Sequence, residues 1–95
     1  MVSRSDITIL VDLLDVRLKF FLAGSRHGMF FSWLQTHTGM DIQPATFKEQ
    51  VTEYLLGMKD NQAIYAEVLI IDAEIIWTSQ KEKYEIRLQQ FNKKS

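Results

Sequence analysis

From Met58 to Ser95 the chain carries neither glycine nor proline, and its five breakers, Gly24, Gly28, Gly39, Pro44 and Gly57, all lie between residues 24 and 57. A stretch of that length without a turn signal fits one long helix, since strands average about five to six residues before a turn is needed. The breakers cut the remainder into three shorter pieces. The spacing therefore predicts an all-α, four-helix domain with short second and third helices and a long C-terminal one. The 95 residues make a single domain, 1–95, long enough to bury a core without a disulfide or a structural metal.

The first helix is expected over Asp6–Ala23. Ser3 and Asp6 have the spacing of a capping box, and Gly24 is the natural stop. Ile7, Leu10, Val11, Leu14, Leu18, Phe21 and Leu22 recur at helical spacing as one wide apolar face, and Ile9, Leu13, Val16 and Phe20 form a second, narrower one. The second helix spans about His27–His37, with Phe30, Trp33, Leu34 and His37 on a shared face, and Gly39 ends it. The third opens on Pro44, a favoured first helical residue, and runs to about Leu56, with Phe47, Val51, Leu55 and Met58 along one side.

The fourth helix follows Asp60 and Asn61 and reaches about Phe91. Thirty helical residues are roughly 45 Å long, whereas a compact chain of this size is about 26 Å across. Such a helix must kink, project or pack along a partner. Val68-Leu69-Ile70-Ile71 and Ile75-Ile76-Trp77 are rich in strand formers, but the missing turn signals and helix-forming flanks favour helix. On a wheel, Ile64, Val68, Ile71 and Ile75 share one direction. Leu69, Ile76, Ala66, Ala73, Ile70 and Trp77 spread over the opposite side, and Asp72, Glu67 and Glu74 occupy the seams. A helix apolar on two sides is buried on two sides, which a small domain can hardly arrange alone. Ile70, Trp77, Tyr84 and Phe91 fall seven apart, with Leu88 on the same side; this stripe is the expected partner-binding surface. It either packs on the first helix, is shared with a second copy or another protein, or lines a cofactor or lipid groove.

Little points to chemistry. The absence of cysteine excludes disulfides, thiolate metal sites and cysteine nucleophiles. His27 and His37 sit at opposite ends of one helix, too far apart to share a metal, and His37 is expected to meet the last carbonyls of its own helix. Ser25-Arg26-His27 between two glycines lacks the preceding strand of a phosphate loop. Asp41 is expected to order a turn, and Glu49 and Glu53 to face water. No catalytic residue, cofactor or metal is expected. Asp12, Asp15, Arg17 and Lys19 interrupt the N-terminal apolar run, so neither a signal peptide nor a membrane span is read there, and a cytoplasmic location is expected.

The segment Gly24–Phe47, with Leu34 closing one helix, a turn at Gly39 and Ile42, and Thr46-Phe47 opening the next, resembles the helix-turn-helix of small bacterial, phage and plasmid regulators. The resemblance implies that Pro44–Leu55 is a recognition helix whose N-terminal residues meet base edges. Two features depart from the pattern: Phe31 stands where a small residue is usual, and Glu49 and Glu53 would repel phosphates. A net charge of −1 and a pI near 6.1 also lack the basic excess of nucleic-acid binders. The sequence thus points to a small, non-enzymatic regulator or adaptor that binds protein through its helices as a homodimer, with a helix-turn-helix DNA-binding regulator as the alternative.

Overall fold

The computed structural model describes residues 2–24 and 26–94, less the side chains of 82, 84–86 and 91–94. Among the described residues the chain is helical without strands: α1 (Arg4–Phe21), α2 (Arg26–Thr38), a 3-10 turn (Pro44–Thr46), α3 (Phe47–Leu56) and α4 (Asn61–Lys94). The strand-forming tract at Val68–Ile71 lies inside α4, where continuous helical hydrogen bonding overrides local propensity.

Helix boundaries follow from local chemistry. Ser3 Oγ accepts the Asp6 N–H at 3.2 Å and Asp6 Oδ2 accepts the Ser3 N–H at 3.1 Å. This reciprocal box starts α1 at Arg4, two residues before the apolar repeat alone suggests. The helix closes at Phe21, short of the expected Ala23, because Leu22 takes an extended conformation and drops into the core. Gly24 follows at φ +65°. Gly39, at φ +72°, ends α2 in the left-handed region that only glycine enters without strain. The helix expected over Pro44–Leu56 begins instead with a 3-10 turn. Gln50 fastens it: its Oε1 accepts the Gln43 N–H at 2.9 Å and the Thr46 hydroxyl at 2.7 Å, and its Nε2 donates to the Asp41 carbonyl at 2.7 Å.

Polar contacts fix the helix directions. Arg4 reaches Glu53 and Lys48 reaches Asp12, at 3.6 and 3.3 Å, so α1 and α3 run antiparallel. The Val2 N–H donates to Asn61 Oδ1, and Arg17 pairs with Asp72, so α1 and α4 run parallel, side by side. α2 starts beyond the end of α1 and finishes where His37 meets Glu67, so it runs back along α4.

Between these helices lies one core. α1 gives Ile7, Val11, Leu14 and Leu18, with Leu22 just beyond its end, α3 gives Phe47, Val51 and Leu55, and α4 gives Ile64, Val68, Ile71 and Ile75. α2 adds Phe30, Phe31 and Leu34, and the α2–α3 corner is aromatic: Phe31 meets Phe47 edge to face at 5.9 Å, and Phe30 lies 5.3 Å from Phe31. Each fully buried side chain of this kind contributes roughly 1.5–3 kcal/mol. The last buried residues of α4 among those described are Thr78 and Ser79. Beyond them Gln80, Lys83 and Arg87–Gln90 are exposed, and the molecule measures 56 × 23 × 21 Å. The long helix therefore projects past its own domain.

Candidate interaction surface

α1 and α4 form a layer with the core on one side. At about 100° per residue, Ile9, Leu13, Val16 and Phe20 fall within about 60° on α1, and Ala66, Ile70, Ala73 and Trp77 within about 60° on α4. Both strips point away from the core, and all eight residues are exposed. Phe20 is 83% exposed, Trp77 52% and Ile70 45%. Leu69, 67% exposed, stands between the two strips. It lines one depression with Leu10, Leu13, Arg17 and Asp72, and a second depression, lined by Leu13, Val16, Arg17, Phe20 and Phe21, continues it along α1. The apolar surface therefore runs unbroken from α1 across Leu69 to α4.

Several charges in this layer have partners. The Arg17–Asp72 pair bridges the helices, and the Arg17 guanidinium also lies 5.9 Å from the centre of the Phe21 ring. Lys19 pairs with the buried Asp15 at 3.0 Å, and Lys81 sits over the Trp77 ring at 5.0 Å.

Of the residues expected to bind a partner, Ile70 and Trp77 lie on this outer face and outside the core, and Leu88 is 43% exposed on the projecting part of α4. The side chains of Tyr84 and Phe91 lie outside the described residues. The α1 strip and Leu69 extend the surface beyond what the heptad spacing picked out. The signal for them was the second apolar side of the first and fourth helices, which stays exposed among the described residues.

A polar cluster sits on the opposite flank. His37 Nε2 contacts the Glu67 carboxylate, so it is held by α4 and not, as expected, by the carbonyls of its own helix. Its ring stacks on Trp33 with centroids 4.7 Å apart and planes 11° from parallel. The Tyr54 hydroxyl is hydrogen-bonded to the same carboxylate; burial, and then the Glu67 charge and hydrogen bond, raise its pKa above the usual 10.0. One carboxylate thus ties α2 and α3 to α4. Among the described residues no three His, Asp or Glu side chains converge as metal ligands.

Around α3, Lys48 is the helix's only cation. It faces Asp12 at 3.3 Å and Asp15 at 3.9 Å, Glu53 faces Arg4 at 3.6 Å, and Lys48, Glu49 and Glu53 are all exposed. Asp41 orders the preceding turn, its carboxylate accepting from Gln43 Nε2 at 2.6 Å.

No family model matches this chain, and neither does any curated protein or solved structure. Its class is that of an all-α domain with a projecting C-terminal helix. Among the described residues no helix is long and apolar enough to cross a membrane.

Proposed function

We propose that this protein is a small, non-enzymatic regulator or adaptor that acts by binding protein through its helices, as a homodimer. The observation that carries the reading is the continuous apolar outer face of the α1–α4 layer. Ile9, Leu13, Val16, Phe20, Leu69, Ile70 and Trp77 together expose on the order of 800 Å², more than the largest apolar patch of a typical monomer and about what one partner contributes to a stable interface. Surface of this kind is costly to leave in water, and large aromatic anchors such as Trp77 and Phe20 are the residues that dominate binding energy. The projecting part of α4, with Leu88, and with Tyr84 and Phe91 in the same heptad stripe, lengthens the surface available to a partner.

Light scattering across a dilution series, together with affinity capture using the wild-type chain and Trp77→Glu as paired baits, tests the reading. A mass above that of one chain, or a partner retained by wild type and lost by Trp77→Glu, supports it. A clean monomer whose two baits capture the same proteins removes it. The helix-turn-helix alternative draws less support, because the one cation of α3 is engaged by Asp12 and phosphate contacts supply most of the affinity for DNA.

A further inference from the structure

The outer strip of α4 reads Ala66, Ile70, Ala73, Trp77, alternating small and large along one exposed line. Such a line fits a reversed copy of itself. If a two-fold axis crosses α4 midway between residues 71 and 72, Ala66 faces Trp77 of the second copy and Ile70 faces Ala73, so every large side chain meets a small one. The α1 strip has its own midpoint between residues 14 and 15, where Leu13 faces Val16 and Ile9 faces Phe20 of the second copy. The Arg17–Asp72 pair sets the two helices level, so the two midpoints lie within about one helical turn of each other. An axis through the α4 midpoint therefore passes about 3 Å from the α1 midpoint, close enough to bring the two α1 strips together while the α4 strip sets the register.

We infer that the α1–α4 outer face binds a second copy of this chain in an antiparallel, two-fold arrangement, with Ala66 receiving the partner copy's Trp77. The inference rests on the homodimer reading above and gives it a face and a geometry. The exposed area is what a stable dimer needs from each subunit. The face also has the make-up of a homodimer interface, with an apolar centre whose one charge pair, Arg17–Asp72, is already neutralised. At the rim, this arrangement brings Asp12 of one copy close to the level of Lys19 of the other, each exposed and each also paired within its own chain, with Lys48 and Asp15. A lipid surface is a poorer occupant, since it calls for a belt of cations around the apolar face, and here Asp6 and Asp12 share the rim with Lys19.

The test is a size exchange read by analytical ultracentrifugation, with circular dichroism to confirm the fold. Ala66, Ala73 and Trp77 are exposed in the single chain, so their substitution leaves the core untouched. Trp77→Ala leaves alanine facing alanine, and Ala66→Trp sets tryptophan against tryptophan. Each is expected to weaken the dimer about tenfold or more. The double variant A66W/W77A restores large against small and is expected to return to within about threefold of wild type. Dimers unaffected by either single change, or a double variant no better than the weaker single, would overturn the inference. Dissociation by Leu88→Ala with both single variants still dimeric would also overturn it, while leaving helix-mediated dimerisation in place. A wild-type monomer at about 100 µM, far above the micromolar range of ordinary specific interfaces, removes the second copy as occupant, and the capture experiment then judges the wider reading alone.

Discussion

The Trp33 indole lies flat on the His37 imidazole, 4.7 Å from centre to centre, and His37 turns its Nε2 edge to the Glu67 carboxylate. The stack fixes the histidine's orientation, and the contact ties the end of α2 to α4 where few apolar side chains do so. Glu67→Gln keeps the shape but removes the charge from a carboxylate that serves both His37 and Tyr54. It is expected to cost about 1.5–3 kcal/mol in urea unfolding, the range for hydrogen bonds to charged groups. Trp33→Ala should cost about as much through lost stacking and packing. A double variant of Trp33→Ala and His37→Ala is expected to cost less than the sum of the singles, because the two residues act as one contact.

Tyr54 supplies a pH dependence. Its folded-state pKa is raised by burial and by Glu67. As pH climbs past the ordinary phenol value the unfolded chain loses this proton first, so the unfolded state binds fewer protons and stability falls with rising pH. The contribution is fully present below about pH 10 and is lost as the folded-state value is passed. Urea unfolding of wild type and Tyr54→Phe at pH 8, 10 and 11 checks this, since phenylalanine removes that share of the alkaline loss. Parallel curves for the two proteins would contradict it.

Ile70 and Ile71 are neighbours in sequence with opposite fates, the first 45% exposed and the second fully buried. Ile71→Ala is expected to destabilise by about 2–5 kcal/mol, the cost of a cavity in a packed core. Ile70→Ala should change the stability of the isolated subunit by less than about 0.5 kcal/mol. Measuring both under conditions where the chain is monomeric separates folding from association.

Two glycines should respond with opposite sign. Gly39 has φ +72° with open space where a side chain would stand, so the cost of Gly39→Ala is conformational, about 1–2 kcal/mol. Gly28 lies within α2, also with nothing within 4 Å. Gly28→Ala should stabilise by about 0.5–1 kcal/mol by removing backbone freedom from the unfolded chain. Thermal melts of the two variants decide both.

Much of the fold could be read from the residues because periodicity and breakers agreed. Ile64, Val68, Ile71 and Ile75 share a wheel direction and all four are buried. Ser3 and Asp6 announced a capping box, and Gly39 a helix end, since each needs only its neighbours to act. What escaped depends on partners distant in sequence. His37 looked like a helix-end residue because nothing local reveals Glu67, thirty positions away. The 3-10 turn at Pro44 is set by the Gln50 side chain reaching back, which no propensity encodes. The outer surface was half legible: the heptad interval selected Ile70 and Trp77, but only the parallel pairing of α1 with α4 joins them to Leu13 and Phe20.

That pairing bears on how the chain comes together. The Val2–Asn61 hydrogen bond spans 59 positions, so α1 and α4 become neighbours only when a large loop has closed, an entropic toll levied before any contact rewards it. During synthesis α1 and its other inner neighbour, α3, therefore leave the ribosome before α4, with the flank of α1 that α4 covers still bare. The interval before α4 arrives is when this small protein is most exposed to clumping or to capture by a chaperone.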